Sequence, residues 1–343
     1  MGTIIYKCYE STFDKLFLLV RHNISMKKML PNEQFRKLVE FINKSRKDKT
    51  KKIYEDRNIR EINWSAYTLS QTNNVIETLS FIRNAVDKCI DPPTKVGKPL
   101  TNPKELAKAI LICEAFSLTE RNAQGFLELF GNKVGINEKL DDRTIGNAYE
   151  KKEVAFILRQ VFEMTKDSDG ILAGDGTGLE TSRRQNYGKE RQSTKEFLTS
   201  IVDSREIIQA FDFSGEDECK AMHSLVEEVK GESLRLDAGF NDRELVRKIV
   251  EFGMLPYVYP KKNNKLNGDE CWKEMYFEFM IDVIEWLQEY YLRVHAESFH
   301  SSFKRVFGII RKVRGHSKFI QVLARIILHN RARLSYFKRI KDE

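Results

Sequence analysis

Tyr290, Arg293, Glu297 and Lys304 are separated by offsets of three, seven and fourteen from the first of them. At about 100° per helical residue the last three fall at about −60°, −20° and −40° from Tyr290, so one continuous helix would carry all four on a narrow face. A core-facing stripe would hold Leu or Ile at such offsets. Here the offsets hold a phenol, a guanidinium, a carboxylate and an ammonium, which are groups that meet a charged ligand. Pairing of Arg293 with Glu297 at i,i+4 would make the same face an ordinary solvated one.

Upstream, two aspartates stand where short apolar runs end. Ile171 to Gly174 leads into Asp175-Gly176-Thr177-Gly178, and Ser233 to Leu236 leads into Asp237-Ala238-Gly239. Ligands of open sheets are held at strand ends, and a glycine beside an acid there permits close approach. With Glu297 these would make three carboxylates around one point, which repel each other and take up protons unless a cation relieves them. Mg2+ or Mn2+ suits an oxygen-only ligand set, and two such ions about 4 Å apart would stabilise both the attacking and the leaving oxygen of a phosphodiester. An Asp before Gly is also a common turn former that bonds its own backbone. Asp203 and Asp212 are further strand-end acids, so only the glycine turns single out Asp175 and Asp237.

The elements that would position these residues read as helices first, then mixed strands and helices. Apolar spacing suggests helices around Phe13 to Val20, Phe35 to Ile42 and Val75 to Val86, with a basic run from Lys44 to Lys52 between the last two. Such a run is either a solvated loop or a phosphate-tracking segment. Four of the seven prolines fall between Asp91 and Pro103, which reads as a boundary. Beyond it, Asn102 with Pro103 starts a helix, Thr119 caps a second that Gly131 stops, and Asp141 or Asp142 opens a third running toward Val161. Three such helices fit either a helix-turn-helix reader offering Arg143, Thr144, Asn147 and Lys151 to a groove, or a plain bundle. From about residue 170, strands are expected at 171–174, 197–202, 207–213, 233–236 and 257–259, with helices between and after them. Cys271 to about Gly308 reads as one long helix, and Lys318 to Arg339 as the last. The expected fold is therefore α/β, a mixed five-stranded sheet flanked by helices behind a helical N-terminal region. Its divisions are 1–100, helical and of undefined role; 101–168, helix-turn-helix-like and DNA-binding; and 169–343, catalytic with basic C-terminal helices.

Composition sets the surrounding limits. With 343 residues, 41% hydrophobic and 31% charged, the chain has the balance of a globular protein rather than a disordered one. The net charge is +8, yet residues 290–343 alone hold 13 Lys+Arg against 3 Asp+Glu. A basic end of that density points to a polyanion, nucleic acid first. Five scattered cysteines without a C-x2-C pair read as reduced thiols, and no apolar run reaches membrane-spanning length. A cytoplasmic, nucleoid-associated protein without a membrane partner is expected.

The order Asp-Gly-Thr-Gly, Leu-Asp-Ala-Gly-Phe and Tyr-x2-Arg-x3-Glu-x6-Lys resembles the DDE transposases of prokaryotic insertion sequences, which have an RNase H-like core. The resemblance covers about residues 104–335, and the last motif matches at every position and spacing. It implies that Asp175, Asp237 and Glu297 are catalytic and bind two Mg2+ or Mn2+ ions. It further implies that Arg293 and Lys304 hold phosphates of double-stranded DNA near the element's end, and that Tyr290 positions that strand. Cleavage at transposon ends, strand transfer into target DNA and a homo-oligomer on DNA follow from the same resemblance. One departure is that only 59 residues separate Asp237 from Glu297, too few for the β-rich insertion some relatives use to form hairpin ends.

Other readings remain open on the residues alone. An RNase H-like nuclease without strand transfer would have the same fold and triad, and a domesticated, inactive copy would keep only DNA binding. A sugar-kinase-like ATPase would need a second glycine-rich phosphate loop, which the sequence lacks. A zinc site from His295, Glu297 and His300 fails because offsets of two and five scatter them to about 200° and 500° around a helix.

Overall fold

The computed structural model describes residues 31–47, 61–93, 101–182, 195–215 and 217–342. The helix expected over Phe13 to Val20, most of the basic run and part of the proline-rich boundary lie outside the described residues. The chain is α/β, with a mixed five-stranded sheet of order β3-β2-β1-β4-β5 flanked by helices, behind a helical N-terminal region. The strands are β1 (Ile171–Glu180), β2 (Lys195–Asp203), β3 (Ile208–Asp212), β4 (Ser233–Leu236) and β5 (Leu255–Val258). β1, β4 and β5 run parallel, while β2 and β3 form an antiparallel hairpin. Among the described residues no helix is long and apolar enough to cross a membrane.

Two compact units share the chain. The first holds residues 170–175, 222–294 and the described part of 1–60, and the second holds 61–169, 176–221 and 295–343. β1 therefore gives its first half to one unit and its second half to the other.

In the first unit, α1 (Asn32–Lys47) seats Phe35 edge-on against Tyr276 and Phe279, with ring centroids 5.3 and 6.0 Å apart. α9 (Arg243–Glu251) follows its cap Asp242, whose side chain accepts from the Glu244 N–H, and buries Leu245, Val246 and Ile249. The expected long helix from Cys271 is not continuous. It is α10 (Glu270–Ile281), α11 (Val283–Tyr290), a 3-10 turn at Tyr291–Arg293, and α12 (Val294–Phe307), which from His295 onward belongs to the second unit. The first break is made by Asp282, which is extended (φ −138°) and accepts from the N–H groups of both Ile284 and Glu285. A capping carboxylate competes with helix continuation, and the hydrophobic period alone does not register it.

In the second unit, α2 (Trp64–Thr72), α3 (Asn74–Asp87), α4 (Pro103–Ala115) and α7 (Lys152–Met164) pack on the long α13 (Gly315–Asp342), while α5 (Glu120–Phe130) and α6 (Asp142–Ala148) pack on α4 and on each other. Asn102 accepts from the Lys104 N–H and Pro103 takes the first turn, as their order predicts. Every residue of α4 from Glu105 to Glu114 is buried, because α3, α7 and α13 all lie against it. Glu114 pairs with the buried Arg325 of α13 at 2.7 Å and also accepts from Tyr149 and Gln321. Gly131 does not stop α5 in the left-handed region. A 3-10 turn follows it, and Gly135 (φ +70°) makes the stop. The third helix is likewise interrupted between Ala148 and Lys152.

β1 is longer than its apolar run. It continues through Asp-Gly-Thr-Gly to Glu180, so Asp175 lies inside the strand rather than in a turn after it. The glycines allow this by close approach on one strand face. A Cβ on Gly174 would lie 2.6 Å from Leu236 Cδ2 and 2.7 Å from Met222 Cε, and one on Gly176 would lie 2.5 Å from Glu218 Oε1. Glu218 and Met222 belong to α8 (Glu218–Glu227), which packs on this face. Asp175 and Thr177 alternate with these glycines and point to the other face.

Candidate active site

Sequence and register together place the two aspartates. The β1–β4 pairing ends at Ala173↔Arg235, and Asp175 and Asp237 each stand two residues beyond that pair. They are matching positions on neighbouring parallel strands, whose backbones are about 4.8 Å apart. Asp237 also shows the turn-former behaviour its sequence allows, since its Oδ1 accepts from the Gly239 N–H at 2.6 Å and caps the 3-10 turn Ala238–Phe240. A carboxylate has about four lone-pair sites, so this bond leaves acceptor capacity for a cation.

Arg293, in the 3-10 turn, sets its Nη1 3.6 Å from Asp175 Oδ2. Both side chains are mostly covered, at 16% and 19% exposure, which strengthens their attraction relative to a surface pair. Tyr290 is placed differently from the expectation of one shared face. It is 3% exposed and stacks on Trp286 (centroids 5.5 Å, 8° between planes) and against Tyr259 (5.0 Å). The 3-10 turn after it changes the rotation per residue, so the phase counted along one ideal helix does not hold across Arg293.

The other two members of the motif lie on α12. Glu297 sits in its first turn and Lys304 in its last, both exposed. Seven residues apart, they share a face of this helix. The positive end of the helix dipole favours the carboxylate and the negative end the ammonium. Lys304 Nζ donates to Thr177 Oγ1 at 2.5 Å. The structure thus brings Asp175 together with Arg293 and aligns it with Asp237, and it brings Lys304 to Thr177. Tyr290 it packs away in an aromatic cluster.

Asp175 and Asp237 are carboxylates, oxygen donors of the kind that Mg2+ or Mn2+ takes. Two groups escaped the sequence reading. Thr177 lay within a quoted motif but was given no role, although its offset of two from Asp175 puts it on the same strand face. On α8, His223 Nε2 lies 2.9 Å from Asp242 Oδ2, and Cys219 stands one helical turn before His223. The Cys-x3-His spacing was the available signal for metal-binding side chains there.

The helix-turn-helix candidates are only partly assembled. Arg143 and Asn147 are exposed on α6, and Thr144 is half-buried with its N–H bonded to Asp141. Lys151 lies beyond the end of α6, at the cap of α7.

Compared with known proteins, the chain matches no family model, no curated protein and no solved structure.

Proposed function

We propose that the protein is a DNA transposase, a metal-dependent polynucleotidyl transferase whose catalytic carboxylates are Asp175, Asp237 and Glu297. The observation that carries this reading is the register. Two aspartates occupy matching positions past the last paired residues of adjacent parallel strands in a mixed five-stranded sheet, with Arg293 beside one of them. Bound Mg2+ or Mn2+ would supply Lewis-acid stabilisation of the attacking and leaving oxygens. Arg293 has the fork geometry to hold a phosphate, and Lys304 supplies a point charge for the next one. Tyr290 serves this site by packing, since its ring holds the end of α11 from which the Arg293 turn starts. The reaction is an in-line displacement at phosphorus in which water first breaks the bond at the element's end and releases a 3′-hydroxyl. That hydroxyl then attacks a target phosphate, again with one P–O bond formed and one broken. Residues 238–296 hold α9, β5, α10 and α11 in place of a β-rich insertion, which favours an excision route without hairpin ends.

DNA flanking the gene supplies the end sequences for a direct test. With Mn2+ and a pre-cut end, the purified protein is expected to join that end to a target duplex. Glu297→Gln is expected to lose cleavage and joining by at least a hundredfold while binding the end within about twofold of wild type. Undiminished metal-dependent cleavage by that variant removes Glu297 from the triad, and hydrolysis without joining replaces transposition with a nuclease function.

A further inference from the structure

The first unit contains a groove of about 680 Å³ between the end of α9, the edge strand β5 and the helices α10 and α11. Its floor is apolar, formed by Met254, Leu255, Tyr257, Met275 and Trp286. Leu255 and Ile281 remain 63% and 39% exposed along it. Its polar lining is of one sign, with carboxylates at Glu274, Glu278, Asp282, Glu285 and Glu289. Among the described residues no Lys or Arg lines it, although the chain holds 58 of them. Glu289 is held by the buried Arg235 at 2.7 Å, whereas Glu274, Glu278, Asp282 and Glu285 stand exposed. Glu274 and Glu278 are one turn apart on α10, as Glu285 and Glu289 are on α11.

A surface of this sign repels a phosphate backbone, so this groove is not part of a DNA interface. A sheet edge can capture an extended peptide, but β5 is blunted against it. The N–H groups of Leu255 and Tyr259 bond to the Glu232 and Leu236 carbonyls, so Pro256 and Val258 face outward, and Pro256, with no N–H to offer, interrupts the ladder a peptide strand would need. What the groove does fit is an amphipathic helix that buries apolar side chains at i, i+3 and i+4 on the floor. Its basic residues, one turn apart, would meet the carboxylate pairs at the rim.

We infer that the groove between β5 and helices α10 and α11 is a docking site for a basic amphipathic helix of a partner protein. The site is separate from the DNA chemistry proposed above and does not depend on it.

Panning a phage-displayed library of helical peptides on the full chain, counter-selected on the Glu278→Lys/Glu285→Lys protein, tests this. Enriched peptides are expected to carry Lys or Arg one turn apart beside Leu, Met or Phe. They are expected to bind wild type at least tenfold more tightly than the double variant, with the difference shrinking as salt is raised. Both replaced residues are exposed, and an unchanged thermal melt establishes that the variant folds. Leu255→Asp, which alters only the floor, is expected to weaken the same peptides at least tenfold. An absence of enrichment, or peptides that bind wild type and both variants equally, overturns the proposal. A concentration-dependent dimer that the double variant abolishes also overturns it, because the groove then belongs to a second copy of the chain.

Discussion

His329 illustrates how a single side chain in this protein ties stability to pH. Its ring lies within α13 against Phe299, at 5.0 Å between centroids, and its Nε2 donates to the Glu206 carbonyl at 2.9 Å. Burial pushes its pKa down from 6.5 to about 4, because the charged imidazolium would lose its hydration. The folded value lies below the unfolded one, so the unfolded chain takes up the proton first as the pH falls. The stability held above pH 6.5 is therefore lost on the way to about pH 4, a total of about 3 kcal/mol. In urea denaturation, wild type is expected to lose about 2 kcal/mol more than His329→Gln between pH 7 and pH 4.5. Equal losses would mean that the ring is already charged, or solvated, in the fold. At this scale the sequence was informative about residue type and poor about surroundings. The strand-end position of Asp237 was legible because a glycine turn after a short apolar run is a local pattern, whereas the same pattern put Asp175 in a turn that is in fact part of β1. The burial of Tyr290 was not legible, because Trp286 and Tyr259, which stack on it, come together only when α11 lies along β5.

Among the elements, those announced by local chemistry were placed well and those decided by tertiary pairing were not. Asn102 with Pro103, Thr119 and Asp141 each cap the helix expected of them, and each side chain accepts from a backbone N–H in the first turn. β1 was read too short because Asp-Gly-Thr-Gly has the composition of a turn. Its strand conformation comes from sheet neighbours and from α8 packing on its glycines, information that four residues do not contain. The supposed single helix over Cys271 to Gly308 failed at Asp282, where one side chain caps two N–H groups. Asp282→Ala is expected to lower stability by about 1 kcal/mol, the usual cost of a lost cap. It should do so without a gain in helical circular dichroism, since Trp286 and Leu287 are buried and hold α11 in direction. A helical gain with unchanged stability would show that the break is maintained by Asp282 alone.

Across the whole molecule, charge and connectivity are organised separately. The basic excess gathers in the last fifty-odd residues, while a row of carboxylates borders the groove of the first unit. Both compact units are discontinuous in sequence, which no local reading of composition anticipates. The second unit depends on a late element, since α4 is buried along its length partly by α13 and Glu114 meets Arg325 only there. A chain ended after Arg314 leaves that buried carboxylate and the apolar flank of α4 uncovered. It is expected to aggregate under conditions in which the full chain does not, and a monodisperse truncated chain would contradict the assignment of α13 to the core. The same dependence sets a timetable for the protein as it is made. Some 200 residues separate the end of α4 from the start of α13. A ribosome adding roughly 5–20 residues per second takes roughly 10–40 s to cross that interval, with α4 already made and the last of its packing partners not yet translated. During that wait α3 and α7 can already cover their sides of α4, while the flank that α13 will close stays open until the last tenth of the chain has been added.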